Sequence, residues 1–501
     1  MKVFTASQTK EIDQRTIIEE PISSIMLMER ACLAFVNWFT DKFDASQPVI
    51  VFAGFGNNGG DALAISRMLI ERKYTVRAFA VPTAVNMSDD CKINFDLLFK
   101  LSEIKMLNLK EALYFPKPVN NEIIIDGIFG SGLNRPIEEP ITSLIKFINS
   151  FSNTVVSIDI PSGIFAEDNR SNNLNNCIRA SYTVSFEFPF LSFYFEGNEK
   201  LLGIPVIVPI GLISGEDCRY RTIDIELAGQ IRIPRKKYSH KGIYGHALII
   251  AGKYGMMGAA LLSGKACVRG GVGLTSISVP SLACDTVQIG IPEAIVQIDS
   301  AEKEFNTVPQ LEPYNSIACG PGIGQSAQTA EALHELILKA RVPLVLDADA
   351  LNIVSEHKEW LKLMPEGSVI TPHPKEFDRL AGVSNDSYSR HLKQLEFARQ
   401  YKLIVVLKGA NTIISTPEGY SYINTTGNPG MASGGTGDVL TGLLVSLLAQ
   451  GYTSINSAVL AVFIHGLAGD IALETSSHES IIAGDLIENF GKAFRLLTPE
   501  N

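Results

Sequence analysis

The stretch Thr425-Thr426-Gly427-Asn428-Pro429-Gly430-Met431-Ala432-Ser433-Gly434-Gly435-Thr436-Gly437-Asp438 leads directly into an apolar helical pattern from Val439 to Ala449. Its glycines and small side chains let the backbone pass close to a ligand. The first N–H groups of the following helix point back toward that ligand, and such groups bind anions such as phosphate. The stretch therefore predicts an anion-binding loop at the start of a helix.

Asp438 lies at the mouth of this predicted loop. A carboxylate is poorly placed there to bind phosphate, but it can take the proton of a hydroxyl that attacks one. Asp438 is therefore a candidate general base. The alternative is an acid that only interacts with the helix dipole, which contributes about 0.3–1 kcal/mol.

The composition is typical of a compact soluble protein. Charged residues make up 19% and hydrophobic residues 46% of the 501 positions, a length that suits about two to four domains. A formal net charge of −10 offers no broad basic surface, so we expect no nucleic-acid partner. The basic cluster from Arg232 to Lys241 overlaps the expected linker, residues 211–240.

The cysteines and the apolar pattern indicate the compartment. The seven cysteines are widely spaced and include no Cys-x-x-Cys pair, which predicts reduced core thiols rather than disulfides or zinc ligands. The first residues, Met1 to Thr5, do not form a charged-then-apolar leader. No run approaches the roughly 18 apolar residues that span a bilayer. We expect a cytoplasmic protein with no membrane partner.

The first half of the chain begins with a strand, loop, helix and strand. A buried strand, 48–53, is followed by a glycine-rich loop, 54–61, a helix from Ala62 to about Lys73, and a strand, 75–81. The glycines formally match the dinucleotide-binding fingerprint, but no acid follows about 20 residues on to bind a ribose, which disfavours ordinary NAD-dependent hydride transfer. Instead the loop offers Asn57, Asn58 and Asp61, whose oxygens suit a hard cation.

Two further strand ends carry polar side chains. Asp126 ends the strand 122–126, and Asp159 and Ser162 follow the strand 154–158. Ligands of open α/β sheets bind at the carboxyl ends of the strands, so we expect these side chains to converge with the 54–61 loop on one crevice.

Three motifs in this half resemble a known family: Asn57-Asn58-Gly59-Gly60-Asp61, Asp126-Gly127-Ile128-Phe129-Gly130 and Asp159-Ile160-Pro161-Ser162-Gly163. They are similar to the N-terminal, NAD(P)H-hydrate epimerase domain of the bifunctional NAD(P)H-hydrate repair enzymes. The resemblance implies that Asn58, Asp126 and Ser162 hold a potassium ion and that Asp159 is the acid/base residue. It implies that the hydrated nicotinamide nucleotide contacts Asn57, Asn58, Gly59, Gly60, Asp61, Gly130, Ser131, Gly132, Leu133, Asn134, Arg135, Pro136 and Asp159. Ala62 replaces a glycine usual in the family, which could tighten the site without removing a ligand.

The second half predicts an independent α/β sheet. Short apolar runs, such as 274–279, 316–319 and 344–347, alternate with helical patterns such as 261–269 and 329–339. The strand ends again carry polar groups. His373 lies between two prolines, which places it on a rigid loop, and Lys408 follows a buried strand. A lysine there can meet a phosphate or form a surface ion pair, and both interpretations stay open.

With the opening stretch, these motifs resemble the ribokinase-like superfamily, and in particular the ADP-dependent NAD(P)H-hydrate dehydratase domain of the same family. The resemblance implies that the hydrate pocket is lined by Ala259, Gly322, His373 and Asp438. It implies that the adenine nucleotide, ADP with Mg²⁺, is held by Lys408, Gly409, Ala410, Asn411, Thr412 and Gly437.

The resemblance spans nearly the whole chain and implies its class and activity. We expect an α/β protein of two three-layer αβα domains, a Rossmann-like domain at 1–225 and a ribokinase-like domain at 226–501. The first is expected to interconvert the R and S epimers of hydrated NADH and NADPH. The second is expected to dehydrate the S epimer with ADP, giving AMP and phosphate. We also expect a homo-oligomer, and the sequence does not decide between ADP and ATP.

The sequence leaves two alternative functions open. One is a ribokinase-like small-molecule kinase that carries an N-terminal binding or scaffold domain, and it would give a net phosphorylated product. The other is that the first domain alone is a non-catalytic scaffold. A scaffold has little need for Asn58, Asp126, Asp159 and Ser162 together, and all four are present.

Overall fold

The computed structural model describes residues 1–110, 115–215 and 218–497. The chain divides into two compact units. The first unit runs from Lys2 to Cys218, and the second comprises Arg219–Asn501 together with Met1. The predicted junction at 211–240 includes residues 216 and 217, which lie outside the described residues. The predicted boundary between 225 and 226 therefore stays a prediction.

The first unit is built on one parallel sheet. The strands of the unit are β1 (Lys2–Val3), which is not part of this sheet, β2 (Val49–Ala53), β3 (Val76–Ala80), β4 (Ile104–Met106), β5 (Ile123–Gly127), β6 (Val155–Ile158), β7 (Tyr182–Phe186) and β8 (Ile204–Val208). Strands β2 to β8 form the sheet in the order β4-β3-β2-β5-β6-β7-β8, and all its pairs are parallel. Strand order therefore reverses between β2 and β5, where a crevice opens at the carboxyl ends.

Helices cover both faces of this sheet. They are α1 (Ala6–Glu19), α2 (Ser24–Lys42), α3 (Asn57–Glu71), α4 (Asp89–Phe99), α5 (Ile141–Ile148) and α6 (Glu199–Leu202), with short 3₁₀ helices at Leu174–Asn176 and Leu191–Tyr194. Val49 and Val51 of β2 face a core shared with α2, α3 and α4. Ile50 and Phe52 face a second core shared with α5. A strand that is buried on both faces has no polar alternation, which explains the continuous apolar run in the sequence.

The second unit contains a larger, mixed sheet. Its strands are β9 (Tyr220–Ile223), β10 (His246–Ile250), β11 (Leu274–Pro280), β12 (Ile295–Asp299), β13 (Ser316–Cys319), β14 (Leu344–Leu346), β15 (Val369–Ile370), β16 (Ile404–Leu407), β17 (Thr412–Ser415) and β18 (Ser421–Asn424). Their order is β9-β18-β17-β16-β15-β14-β13-β10-β11-β12. The pairs β16–β17 and β17–β18 are antiparallel, and the others are parallel. Here the order reverses at β10, which lies between β11 and β13.

Helices of the second unit also pack on both faces. They are α7 (Ile225–Ile231), α8 (Met257–Arg269), α9 (Cys284–Gly290), α10 (Ala327–Lys339), α11 (Ala348–Glu356), α12 (Pro374–Ala381), α13 (Ser387–Tyr401), α14 (Thr436–Ala449), α15 (Ser454–Leu473) and α16 (Ala483–Leu496). The 3₁₀ helices are Lys241–Tyr244, Ser281–Ala283, Lys358–Leu363 and Pro429–Met431. One core holds residues of α7 to α9 and α14 to α16, and the other holds residues of α10 to α13. Both units thus have the three-layer α/β arrangement expected from the sequence.

Helix α15 corrects one expectation from the sequence. By length and composition it could cross a membrane, as could the bent pair α1 and α2 taken together, although no segment of that kind was expected. Within the unit, 72% of the most apolar window of α15 is buried. Such burial is typical of the central helix of a soluble α/β protein, which is apolar on all sides. None of the seven cysteines, all of which the structure describes, forms a disulfide bond. Cys284 is partly exposed, and the other six are buried.

Candidate active sites

The first candidate site lies where the strand order of the first unit reverses. The second part of the predicted loop 54–61 is in fact the first turn of α3, which begins at Asn57 rather than at Ala62. In this first turn the backbone of residue 59 packs directly on the preceding loop. The contact is possible because residue 59 is glycine, since a Cβ there would lie 1.8 Å from the carbonyl oxygen of Gly54. Ala62 is fully buried, and its methyl group occupies space left by Gly127, whose own Cβ would lie 2.5 Å away. The extra methyl is therefore accommodated without displacing a polar group.

Asp126 and Ser162 form a buried hydrogen-bond network beside this turn. Ser162 donates from Oγ to Asp126 Oδ1 over 2.5 Å and from its backbone N–H to Oδ2 over 2.9 Å. Ser157 Oγ also donates to Oδ2, over 2.8 Å. Burial raises the pKa of Asp126 above its ordinary value, while these hydrogen bonds lower it. The structure thus brings together two of the three predicted cation ligands.

Asn58, the third predicted ligand, carries the unusual feature of this site. The residue is 8% exposed, yet neither its side-chain oxygen nor its side-chain nitrogen has a hydrogen-bond partner. A buried amide without partners costs about 1–3 kcal/mol, so such an amide indicates a ligand. Its backbone oxygen lies 3.0 Å from the position that a Cβ on Gly127 would take, next to Asp126. Amide, carboxylate and hydroxyl oxygens fit a hard cation such as potassium.

Asp159 faces the same crevice. It adopts a left-handed conformation with φ of 66°, which is uncommon outside glycine, and its Oδ2 accepts the Ser131 N–H over 2.9 Å. A Cβ on Gly130 would lie 3.1 Å from both Asp159 Oδ2 and the Asn58 Cγ. Burial raises the pKa of Asp159, and the bond from Ser131 opposes this rise. Asp159 and Asn58 therefore flank one small space that only glycine leaves open.

The predicted nucleotide stretch is only partly gathered at this space. Gly130 and Ser131 border it, and Leu133 folds back so that its N–H donates to the Gly130 carbonyl over 3.2 Å. Gly132, Asn134, Arg135 and Pro136 are exposed on the loop beyond. Their predicted contacts with the substrate stay predictions.

Two more carboxylates belong to the crevice. Burial raises the pKa of Asp61 well above its ordinary value, and the charge of Asp159 adds to the rise; Asp61 also accepts a hydrogen bond from the Cys32 thiol. Burial and then the charge of Asp159 raise the pKa of Asp13 to about 7. A carboxyl group that is half protonated near neutral pH can give or take a proton. Sequence reasoning missed Asp13, which lies on α1 in no recognisable motif.

The second candidate site lies where the strand order of the second unit reverses. The loops after β10 and β13 meet there, since the Gly252 N–H donates to the Pro321 carbonyl over 2.8 Å. Gly322 has φ of 65°, and a Cβ on it would lie 3.1 Å from the Ala259 methyl group. Two of the predicted pocket residues, Ala259 and Gly322, are thus neighbours.

The opening stretch of sequence is a tightly held loop. Helix α14 begins at Thr436, and its N-cap Gly435 has φ of 91°. Asp470 on α15 accepts hydrogen bonds from the Gly427 N–H over 2.8 Å and from the Asn428 amide over 3.0 Å. Gly469 makes close packing possible, because a Cβ there would lie 2.3 Å from the Met431 sulfur. Sequence reasoning predicted the loop but missed Asp470, its anchor.

The start of α14 meets the predicted nucleotide residues. Lys408 Nζ donates to Asp347 Oδ1 over 2.8 Å and lies 3.4 Å from the position of a Cβ on Gly437. Lys408 and Gly437 are therefore brought together. Gly409 and Ala410 are exposed, and Thr412 Oγ1 donates to the Gly409 carbonyl over 3.1 Å, which closes the loop 408–412 into a turn. Contacts of this turn with adenine stay predictions.

Asp438 has the electrostatic setting of a base. It lies in the first turn of α14, and its pKa is raised to about 6, first by burial and then by the charges of Asp347 and Asp349, against the effect of Lys408. His373 is the N-cap of α12, where Nδ1 accepts the N–H groups of Lys375 and Glu376. Burial, and then the charge of Lys408, lower the pKa of His373. The charge of Lys408 therefore lowers the pKa of both side chains, as expected if Asp438 and His373 line one pocket.

Neither site resembles a transition-metal centre. In the ranges that the structure describes, no group of three or more His, Cys, Asp or Glu residues is arranged to hold a metal ion. The oxygen set of Asn58, Asp126 and Ser162 is of a different kind, suited to an alkali cation.

Two family profiles match the chain in this order. The profile described as YjeF-related protein N-terminus matches residues 24–191, and the profile described as NAD(P)H-hydrate dehydratase matches residues 247–490. Between them they include almost all the candidate site residues; Asp13 lies before the first match.

Full-length relatives give the same result. The bifunctional NAD(P)H-hydrate repair enzyme of Moorella thermoacetica is 32% identical, covering 100% of this chain and 98% of its own. The enzyme of the same name from Thermofilum pendens is 31% identical, covering 99% and 97%. A solved structure of the ADP/ATP-dependent NAD(P)H-hydrate dehydratase from Bacillus subtilis, co-crystallised with ATP and Mg²⁺, is 30% identical over 56% of this chain and 99% of its own, with a TM-score of 0.49. By this identity over its whole length, the chain belongs to the family of bifunctional NAD(P)H-hydrate repair enzymes, with a Rossmann-like first unit and a ribokinase-like second unit.

Proposed function

We propose that this protein repairs hydrated NADH and NADPH in two steps. The first unit interconverts the R and S epimers, and the second unit dehydrates the S epimer with ADP, giving AMP and phosphate. The observation that carries the proposal is the presence, within one chain of this family, of two crevices at strand-order reversals, each lined by carboxylates of raised pKa.

In the first unit, Asp159 is the proposed acid/base residue. Its carboxylate faces the space beside Gly130, and the Ser131 N–H fixes the orientation of Oδ2. Asn58, Asp126 and Ser162 would hold the potassium ion, and the unpartnered amide of Asn58 supports this assignment. A bound cation would supply positive charge to the otherwise acidic crevice. Asn57 to Asp61 and Gly130 to Pro136 would contact the nucleotide.

In the second unit, Asp438 is the proposed base. It takes the proton of the ring hydroxyl as that oxygen attacks the terminal phosphorus of ADP, and AMP leaves. Lys408 and the N–H groups at the start of α14 stabilise the charge that develops on the phosphoryl oxygens, while Mg²⁺ bound with ADP would supply further positive charge. Phosphate then leaves the ring far more readily than hydroxide. Loss of the neighbouring proton restores the dihydronicotinamide. Ala259, Gly322 and His373 would line the hydrate pocket, and residues 408–412 with Gly437 would hold the nucleotide.

The experiment incubates the whole chain with a mixture of hydrated NADH epimers and either ADP or ATP, and follows the absorbance of the regenerated dihydronicotinamide. Full recovery is expected with the preferred nucleotide. Asp438→Asn is expected to stop all recovery. Asp159→Asn is expected to allow recovery of the S epimer only, because the R epimer can then no longer be converted. The absence of recovery with both nucleotides would overturn the proposal. A stable phosphorylated product would instead favour the small-molecule kinase.

The same proposal includes a cytoplasmic location, which was expected from the cysteine usage and the apolar pattern of the sequence, and a homo-oligomer. Chromatography of the whole chain with light-scattering detection measures the oligomer directly, and a monomer at micromolar concentration would contradict it.

A further inference from the structure

Asp347 is a buried carboxylate to which sequence reasoning gave no role. It follows β14 and is the N-cap of α11, and it is 1% exposed. Both of its oxygens are used: Oδ1 accepts from Lys408 Nζ over 2.8 Å, and Oδ2 accepts from Thr441 Oγ1 over 2.7 Å. Asp347 therefore connects the residue after β16 with the second turn of α14.

The ion pair of Asp347 and Lys408 lies against the start of α14. The position of a Cβ on Gly437 is 3.4 Å from Lys408 Nζ and 3.8 Å from Asp347 Oδ2. The ammonium group would otherwise sit beside the partial positive charge of a helix N-terminus, which repels cations. The neighbouring carboxylate of Asp347 offsets this repulsion for the half-buried lysine. The geometry places the two charges next to Asp438, one residue farther along the helix.

We propose that Asp347 is a positioning residue of the dehydratase site: it holds the Lys408 ammonium at the start of α14, where it meets the phosphates of ADP, and so aligns the phosphoryl group with Asp438. This inference rests on the proposed function of the second unit. In this role Asp347 acts through Lys408, because its Oδ1 accepts from the Lys408 ammonium while its Oδ2 accepts from Thr441 Oγ1.

The charge of Asp347 also acts on Asp438. The charged groups that face Asp438 are Asp347 and Asp349, which raise its pKa, and Lys408, which lowers it. His465 of α15 lies near the same helix start, where its Nε2 contacts the Thr436 carbonyl over 2.9 Å. Burial lowers the pKa of His465 to about 4, so it is neutral at pH 7. Loss of the Asp347 charge is therefore expected to lower the pKa of Asp438 and to make it a weaker base.

The test compares two nearly isosteric variants. Asp347→Asn removes the charge, and Thr441→Val removes the second hydrogen bond while keeping the charge. Asp347→Asn is expected to raise the KM for ADP about 10- to 100-fold, the loss typical of a broken hydrogen bond between charged groups. It is also expected to move the acidic limb of the dehydration profile to lower pH. Thr441→Val is expected to leave that limb unmoved and to change the KM only slightly. Thermal unfolding checks that the second unit of each variant is folded, and epimerisation checks that the first unit is unaffected.

A double-mutant cycle with Lys408→Met completes the test. If Asp347 acts by holding Lys408, then Asp347→Asn adds no further rise in the ADP KM to the Lys408→Met variant. Equal losses in Asp347→Asn and Thr441→Val, additive losses with Lys408→Met, or an unchanged KM and pH limb would each overturn the inference. Calorimetric titration of each variant with ADP gives the same comparison without turnover. It separates failure of this inference from failure of the proposed reaction, which would appear as no dehydration by the unaltered protein.

Discussion

Replacing Asp438 with asparagine is expected to stop dehydration and, at the same time, to stabilise the second unit. Asparagine keeps the size of the side chain but cannot accept the hydroxyl proton, so dehydration should fall by about 10²- to 10⁴-fold. The pKa of Asp438 rises from an ordinary value of 3.8 to about 6 in the folded protein. At 1.36 kcal/mol per pKa unit, keeping this carboxylate charged costs roughly 3 kcal/mol of folding free energy.

The direction of the pH dependence follows from proton binding. Between about pH 4 and pH 6 the folded state holds a proton on Asp438 that the unfolded state has released. The contribution of this group to stability therefore falls as pH rises through that window, and the cost is complete above about pH 6. The Asp438→Asn variant has no carboxylate at this position and does not lose stability in this way as pH rises. Its advantage in free energy of unfolding should be up to roughly 3 kcal/mol at pH 7.5 and should vanish below about pH 4.

The assay is urea unfolding of the whole chain at several pH values, following the transition that ADP shifts to higher urea, because ligand binding identifies the unit that binds it. Asp485→Asn is a matched control. Asp485 also lies in the first turn of a helix, α16, but there it accepts the Ile482 N–H over 2.9 Å. It should destabilise by about 0.3–1 kcal/mol and leave dehydration intact. If Asp438→Asn kept near-normal dehydration, or lowered stability as Asp485→Asn does, Asp438 would be a helix-start residue and not the base.

Three further predictions concern the first unit. Asp126→Ala should abolish both the dependence of epimerisation on potassium and most of the activity, because it removes the centre of the ligand network; equal rates of the unaltered protein with and without potassium would contradict this. Gly59→Ala should destroy epimerisation or folding, because its methyl group would lie 1.8 Å from the Gly54 carbonyl oxygen, whereas Gly56→Ala meets no atom within 4 Å and should be tolerated, as circular dichroism and epimerisation can establish. A fragment of residues 1 to 225 should fold and epimerise alone, because its sheet has its own two cores; an insoluble or molten fragment would refute this.

Sequence reasoning located the strands better than the starts of the helices. Predicted strands at 154–158 and 316–319 agree with β6 and β13 to within one residue, because a buried strand is marked by a continuous apolar run. Helices α3, α8 and α14 begin three to five residues earlier than predicted, at Asn57, Met257 and Thr436. The first turns of α3 and α14 are rich in glycine and polar residues, which have low helix propensity in isolation, and that of α8 contains Gly258; tertiary packing against the strand ends overrides that propensity.

The active-site residues could likewise be predicted only where they carry a local sequence pattern. Residues at the carboxyl ends of strands, such as Asp126, Asp159 and Lys408, could be predicted, because strand ends of a parallel sheet meet at one edge. The pairing of Lys408 with Asp347 could not, because which strand-end residues meet depends on the strand order β14-β15-β16, which leaves no local pattern in the sequence. Asp13 could not be found either, because its raised pKa arises from burial and from the charge of Asp159, neither of which leaves a local pattern.

The separate cores of the two units bear on how damage to the gene would appear. Each hydrophobic cluster draws its residues from one unit alone, so a substitution that loosens one core leaves the packing of the other intact. A lesion in the first core would then leave cells that clear one stereoisomer and accumulate the other, which differs from it at a single carbon. A lesion in the second would leave both isomers to build up in equilibrium. The ratio of the two isomers in a mutant strain would therefore report which half of the chain has failed.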